Sequence, residues 1–161
     1  MTYVAEARPR KRPTPRKRSL SPLELRLAES KIFRARIDSH HRALLGRRNE
    51  AIAAALADKV SATTVATVVG IRVTDVKRLA GAYQDLHFSG AQPEWHLSVL
   101  TSVVRQLEQA LQDKERSVAR LRGDVMEGLG SAGLDIYRVA ALTSLPADRI
   151  RELLRPAPSH A

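Results

Sequence analysis

The hydrophobic positions of the chain change their period several times, and each change predicts a different element. From Leu97 to Val125 they recur alternately every three and four residues through four heptads, with Lys114 as the polar exception. This spacing is typical of a coiled-coil helix and predicts a long helix over residues 94–128. The seam consists of Leu97, Leu100, Val104, Leu107, Leu111, Val118, Leu121 and Val125. It predicts a parallel homodimer. The alternative is a long helix that packs on its own chain, and the extra apolar residues beside the seam favour that alternative.

Nearer the N-terminus, capping signals rather than a heptad repeat define the predicted helices. Ser21, a proline after it and Glu24 form a capping box that predicts a helix over residues 22–45. Gly46 is expected to end this helix. An Ala-rich stretch with one apolar face predicts a second helix over residues 48–58.

The stretch from Thr63 to Leu79 is ambiguous in its pattern. Its Val, Thr and Ile residues alternate as in a half-buried strand. A stable sheet needs more strands than this one, and no other part of the chain offers a convincing partner. We therefore predict a short helix capped by Ser61, a tight turn at Gly70 and a second short helix from Thr74 to about Ala80.

This stretch resembles the helix-turn-helix family of DNA-binding domains. That family has a small residue inside the first helix, a glycine four residues later, an apolar residue next and further apolar residues in the second helix. The matching residues are Ala66, Gly70, Ile71, Val76 and Leu79, with Val65 and Val69 completing the apolar face. The resemblance covers residues 61–80, and the helix before them extends it to a three-helix unit.

The resemblance implies that the helix from Thr74 lies in the major groove of DNA. The candidates for contact with bases are Arg72, Thr74, Lys77 and Arg78. Asp75 is unfavourable near phosphate, but it can accept a hydrogen bond from cytosine or favour the N-terminus of its helix. Thr63 and Thr64 are the candidates for holding a phosphate with backbone N–H groups.

A second, weaker match to the same family lies between Ile136 and Leu154. Its apolar positions repeat those of the first match with a constant shift, which takes Val65 to Val139 and Val76 to Ile150. It departs from the family at Ser144, where glycine is usual, and at Thr143, where an apolar residue is usual. Its second helix carries two arginines but also two acidic residues, so we expect packing or protein contact from this unit before DNA contact.

The distribution of charge separates the two halves of the chain. The formal net charge is +10, and residues 1–93 carry 18 Lys and Arg against 8 Asp and Glu, whereas residues 94–161 carry 9 against 9. A basic excess of this size is typical of a protein that binds a polyanion. The strongest run predicts a disordered basic arm over residues 1–20 that contacts DNA; the alternatives are a solubilising tail and, in a eukaryote, a nuclear localisation signal. Its cations are Arg8, Arg10, Lys11, Arg12, Arg16, Lys17 and Arg18.

These patterns predict an all-α protein with four parts after the arm. A helix-turn-helix domain over residues 21–86 is followed by a linker over 87–93, the long helix over 94–128 and a C-terminal unit over 129–161. Only six residues are aromatic, so the core must rest on aliphatic side chains.

Several classes of function find no support in the sequence. There is no cysteine, which excludes disulfides and thiolate metal sites, and the five histidines are not spaced as metal ligands. No glycine loop for phosphate, nucleophile elbow or paired carboxylate indicates catalysis, and no cofactor is expected. No apolar run is long enough to span a bilayer. We therefore expect a cytoplasmic, nucleoid-associated bacterial protein rather than an enzyme or a membrane protein.

The function predicted from the sequence is that of a dimeric transcriptional regulator that binds double-stranded DNA. The alternative is an architectural or segregation protein that binds DNA with little sequence preference and recruits partners through residues 129–161. Binding to RNA is a third alternative, against which the lack of stacking aromatic residues in the basic region argues.

Overall fold

The computed structural model describes residues 19–156, and this part of the chain is all-α, as predicted, with six helices and no strand. The helices are α1 (Pro22–Ala57), α2 (Ala62–Val69), α3 (Val73–Gly81), α4 (Pro93–Leu129), α5 (Ile136–Thr143) and α6 (Ala147–Leu154). The cations of the basic arm all lie outside the described residues.

Helix α1 begins where its capping box predicts, but it is one helix rather than two. Glu24 N–H donates to Ser21 Oγ at 3.2 Å, and Ser21 N–H donates back to Glu24 Oε2 at 2.9 Å. The predicted end at Gly46 is wrong, because the helix continues through it to Ala57. Glycine inside a helix costs about 1 kcal/mol relative to alanine, and burial of one leucine exceeds that cost. Leu44, close to the glycine, is fully buried against α4 and supplies such burial.

Helices α1 and α4 form an antiparallel pair along their whole length. Near the start of α1, Arg26 Nε donates to Asp124 Oδ1 near the end of α4 at 3.0 Å. Just past the other end of α1, Asp58 contacts His96 in the first turn of α4, with 2.6 Å between Oδ2 and Nε2. The long helix predicted from the heptads is therefore present, and it lies against its own chain.

The heptad seam is divided between the interior and the surface of this helix pair. Four of its positions are buried within the chain: Leu100, Leu107, Leu121 and Val125. Leu97 and Val104 are half-buried, whereas Leu111 and Val118 are exposed by 48% and 42%. Lys114, the polar exception, bonds Asp38 of α1 at 3.0 Å between Nζ and Oδ1. The buried positions follow the alternative in which the long helix packs on its own chain, and they are not free for a seam between two chains.

The two halves of the described chain repeat one architecture. The order long helix, short helix, short helix occurs twice, with lengths of 36, 8 and 9 residues and then 37, 8 and 8. The contacts repeat as well: α3 packs on α1 as α6 packs on α4, and α2 packs on α4 as α5 packs on α1. This pattern is that of an approximate two-fold axis perpendicular to the α1–α4 pair. The correspondence between the two short motifs therefore extends to the whole repeat.

Each repeat contributes to both hydrophobic cores that hold the short helices. The first core, around α2 and α3, includes Ile52, Val65, Val76 and Leu100. The second core, around α5 and α6, includes Leu27, Val125, Val139 and Ile150. Leu100 of the second repeat enters the first core, and Leu27 of the first repeat enters the second. The connecting segment around residues 87–93 thus separates the repeats in sequence, while both repeats pack into the same two cores.

Candidate nucleic-acid interface

The ambiguous stretch forms two short helices joined by a tight turn, as predicted. Ser61 caps α2 by accepting from Thr64 N–H at 3.1 Å. Gly70 follows α2 in the left-handed conformation, with φ of 75°, and its N–H donates to the Ala66 carbonyl at 2.8 Å. A residue with a side chain is strained at this φ, so glycine suits the turn. Burial of Val65 offsets the few tenths of a kcal/mol by which each β-branched residue disfavours a helix.

Helix α3 has one buried side and one charged, exposed side. Val76 is fully buried in the first core, and Leu79 packs against it. The four candidates for base contact, Arg72, Thr74, Lys77 and Arg78, are all exposed. Residues 74, 77 and 78 share one helical face because they lie three and four positions apart. The structure therefore brings Thr74, Lys77 and Arg78 together on the side of α3 opposite the core, and Arg72 is exposed just before the helix begins.

Asp75 gathers two of these cations at the start of α3. Arg72 Nε donates to Asp75 Oδ2 at 3.0 Å, and Arg78 Nη2 lies 3.5 Å from Oδ1 of the same carboxylate. The hydrogen bond from Arg72 is the main cause of a lowered pKa of Asp75. The carboxylate thus stays ionised, orients both guanidinium groups and cancels part of their positive charge.

The two threonines at the start of α2 differ in what their backbone can offer an anion. Both are exposed. The N–H of Thr64 is occupied by the Ser61 hydroxyl, so it is not free to hold a phosphate in this conformation. The N–H of Thr63 makes no hydrogen bond within residues 19–156 and is directed out of the helix N-terminus. Of the predicted pair, Thr63 alone presents a backbone donor to an anion.

The second motif adopts the same turn in spite of its two departures. Asp135 caps α5 by accepting from Arg138 N–H at 2.8 Å, as Ser61 caps α2. Ser144 takes the left-handed conformation with φ of 54°. Thr143 is fully buried, and its Oγ1 donates to the Val139 carbonyl at 2.8 Å, which satisfies the hydroxyl inside the core. The unusual residues therefore preserve the geometry of the turn.

Arg34 of α1 supports the end of α5 from outside the motif. Its Nη2 donates to the Thr143 carbonyl at 2.5 Å, close to the point at which the chain turns. Burial lowers the pKa of Arg34, although a guanidinium remains charged at any physiological pH. The positive group satisfies a carbonyl at the negative end of the helix.

The exposed side of α6 is electrically balanced, unlike that of α3. Arg149 is bonded to Glu152, and Arg151 Nη1 donates to Asp148 Oδ1 at 2.6 Å. In the correspondence between the motifs, Asp148 and Glu152 replace Thr74 and Arg78. The two motifs therefore share a backbone shape but present different charge.

A buried polar cluster at Asp58, which the sequence patterns did not indicate, fixes the segment that connects the repeats. The Asp58 carboxylate accepts from the N–H and the Oγ of Ser89 at 2.6 and 2.5 Å, from Gly90 N–H at 3.2 Å and from His96 Nε2 at 2.6 Å. These bonds, above all that from the Ser89 hydroxyl, hold the pKa of Asp58 far below its usual range. The partners lie 31 to 38 residues from Asp58 in the sequence, so no local spacing indicates them.

The geometry of this cluster is that of a structural tie rather than a nucleophilic site. Ser89 bonds the carboxylate and not the imidazole, so His96 does not lie between the hydroxyl and the acid as a general base would. The cluster joins the end of α1, the start of α4 and the segment before it, and so helps to hold the first motif against both long helices.

Metal-ligand clusters and membrane-spanning helices are both absent from the described part of the chain. Within residues 19–156, no three His, Cys, Asp or Glu side chains are grouped closely enough to hold a metal ion. No helix of that part combines the length and the apolar character needed to cross a membrane.

Comparisons of the chain with protein-family models, with curated proteins and with solved structures found no match.

Proposed function

We propose that this protein binds double-stranded DNA and reads part of its sequence by placing α3 in the major groove. The observation that carries the proposal is the two-sided character of α3. Val76 is buried on one side, Thr74, Lys77 and Arg78 are exposed on the other, and Arg72 is exposed at the residue before the helix. A short helix held in this way after a tight turn has the dimensions and the chemistry to enter a major groove.

Each exposed side chain of α3 has a defined role in this proposal. Arg72 and Arg78 are suited to bidentate contact with guanine, Lys77 to guanine or phosphate, and Thr74 to a hydrogen bond or a methyl contact with thymine. Asp75 holds both arginines before binding. On DNA it either keeps one arginine in the orientation that meets a base or accepts from cytosine itself, so it favours specificity at the expense of affinity.

The basic arm contributes affinity that does not depend on sequence. Its seven cations all lie within residues 1–18. Each phosphate neutralised releases counterions, so affinity falls steeply as salt concentration rises. Removal of residues 1–18 is expected to flatten this salt dependence while leaving the preference among sequences to α3.

Transcriptional regulation by occupation of a promoter is the use that we propose for these parts. The predicted dimer stays a separate proposal, since Leu111 and Val118 are the two exposed seam positions that a second copy could contact. The balanced charge of the second repeat suits a role in which it positions the first repeat or contacts a protein partner.

Selection of bound fragments from a random duplex pool at about physiological salt tests this function. The pool is bound to the intact protein, to the double variant Arg72→Ala with Lys77→Ala, and to a control with Lys31→Ala and Arg105→Ala. The control removes the same charges from exposed positions of α1 and α4. We expect the wild type and the control to enrich one motif and the α3 variant to enrich none. Binding without enrichment by any of the three would favour the architectural alternative, and failure to retain duplex would overturn the proposal.

A further inference from the structure

We infer that a single chain spans two successive major-groove segments on one side of a duplex, with α3 reading bases in one segment and α6 contacting the backbone of the next. The inference rests on the proposed function and adds to it the stoichiometry, the size and the asymmetry of the DNA site. It follows from the repeat in the fold rather than from the resemblance of either motif to a family.

The spacing of the two motifs is set by the long helices. On α1, Leu27 enters the second core and Ile52 enters the first. On α4, Leu100 enters the first core and Val125 enters the second, with the same separation along the sequence. At a rise of about 1.5 Å per residue, both helices separate the cores by about 37 Å. Two continuous helices that run side by side hold this distance fixed.

The separation between the two cores is close to the repeat of B-form DNA. Two helix-turn-helix units that bind one side of a duplex have centres about 34–36 Å apart, which is one helical turn. In the dimeric helix-turn-helix proteins, the two units come from two copies of a chain. Here the repeat supplies both units in one chain, so no second copy is needed to cover adjacent grooves.

The approximate two-fold axis also directs the two motifs to a common side. A half-turn about an axis perpendicular to the α1–α4 pair reverses positions along the helices but leaves height along the axis unchanged. Since α2 and α3 contact the pair as α5 and α6 do, with the long helices exchanged, such an axis places both motifs at the same height along it. In our proposal the duplex lies along the helix pair on the side of the two motifs.

The charges predict that the two contacts differ in kind. Helix α3 and the residue before it carry one acid and three cations, Arg72, Lys77 and Arg78. On α6, Arg149 and Arg151 are each bonded to an acid three residues away on the same helix. With two acids for its two arginines, the exposed side of α6 attracts a duplex less than that of α3 does, and its arginines are suited to phosphates at the edge of the groove. One segment of the site is therefore read closely, and the other is contacted with little preference.

The test uses the full chain, the duplex that it selects from a random pool, and a truncated duplex that lacks the segment next to the read one. Hydroxyl-radical footprinting and sedimentation give the protected positions and the number of chains bound. The α6 variant, Arg149→Ala with Arg151→Ala, is compared with the control that carries Lys31→Ala and Arg105→Ala. All of these side chains are exposed, so both variants are expected to fold.

We expect one chain to protect two segments whose centres lie about 10 base pairs apart. The α6 variant should lose the second segment alone, and its affinity should fall roughly three- to tenfold. Truncation of the duplex should weaken the wild type by a similar factor and the α6 variant very little, because both changes remove one contact.

Two results would overturn the inference while leaving the proposed function intact. One is a single protected segment whose affinity is indifferent to the α6 variant and to truncation. The other is protection of two segments only when two chains are bound. If the wild type protects no duplex at all, the proposed function fails together with the inference.

Discussion

Gly70 and Ser144 hold the same left-handed backbone conformation at the same place in the two repeats, with φ of 75° and 54°. Each follows a short capped helix, and each is followed by an apolar residue packed into its own core. The same turn thus contains glycine, which adopts a positive φ without strain, in the first repeat and serine, which is strained at a positive φ, in the second. The strain at Ser144 is tolerated because Thr143, Arg34 and the second core fix the chain on either side.

Replacing Ser144 by glycine is expected to stabilise the protein. A left-handed residue with a Cβ atom costs about 1–2 kcal/mol, part of which glycine loses again through the greater freedom of the unfolded chain. We predict a gain of about 0.5–1 kcal/mol in the free energy of unfolding for Ser144→Gly, measured by urea denaturation. The reciprocal Gly70→Ser should lose about 1 kcal/mol. Equal stability of Ser144→Gly and the wild type would show that the turn is not strained.

Gly46 is a second position at which a substitution, here by alanine, should raise the stability of the fold. It lies inside α1, and a Cβ atom built on it meets nothing within 4 Å. Alanine favours a helix interior over glycine by about 1 kcal/mol, so Gly46→Ala should raise the free energy of unfolding by about 0.5–1 kcal/mol. Gly70→Ala serves as the matched control and should be destabilising, since its φ is positive. A neutral or destabilising Gly46→Ala would indicate that α1 is not one continuous helix.

The error at Gly46 illustrates which part of the fold could be predicted from the sequence. The Ser21 cap, the turn at Gly70 and the length of α4 depend on residues within a few positions of one another, and all three were predicted. The continuity of α1 depends on Leu44 meeting α4, which lies in the other half of the chain, and no local signal carries that contact. A glycine after a helical stretch marks the end of the helix only when no element distant in sequence packs against the residues on both sides of it.

In the candidate site too, features that depend on local sequence were predicted and features that depend on distant contacts were not. The exposed positions of α3 follow from helical periodicity once Val76 is known to be buried. The pairing of both arginines with Asp75 was not predicted, because several rotamers of each side chain satisfy the same spacing. The Asp58 cluster was missed altogether, since its partners meet only when α1 and α4 pair. The sequence indicates the repeat in the two short motifs, whose apolar positions coincide, but not in the two long helices, whose apolar positions differ.

The Asp58 cluster predicts a loss of stability in acid. The folded pKa of Asp58 lies below the unfolded value of about 3.9, so its contribution is complete above that value and is lost as pH falls from about 4 toward the folded pKa. Asp58→Asn should lower the melting temperature at pH 7 by several degrees, and its gap from the wild type should shrink by pH 3. Glu24 and Asp75, whose pKa values are also lowered, contribute in the same direction to both proteins and cancel in the difference.

Asp85→Asn is the control for this measurement, because Asp85 is an exposed carboxylate between α3 and α4. It should leave the melting temperature nearly unchanged at both pH values. A gap between Asp58→Asn and the wild type that stays constant from pH 7 to pH 3 would mean that the ionised carboxylate contributes nothing to stability.

Asp75 provides a test of how affinity and specificity are divided on α3. Asp75→Asn removes a negative charge from the proposed groove face and releases Arg72 and Arg78 from an ion pair. We expect binding to unrelated duplex to tighten roughly threefold or more while the preference for a selected duplex falls. Fluorescence anisotropy with the two duplexes measures both. Asp113→Asn, which makes the same charge change on α4, should alter neither by more than a small factor, and an increased preference in Asp75→Asn would contradict the role given to this carboxylate.

The most direct measurement of the central claim is the ratio of affinities for a selected duplex and a shuffled duplex at fixed salt. It is made with the wild type, with Arg72→Ala plus Lys77→Ala, and with Lys31→Ala plus Arg105→Ala. Each lost base contact is worth about 1–3 kcal/mol of discrimination, so the ratio should fall at least tenfold in the α3 variant and stay near the wild-type value in the control. If both variants lower affinity alike and leave the ratio unchanged, α3 does not read DNA, and the protein binds duplex through its charge alone.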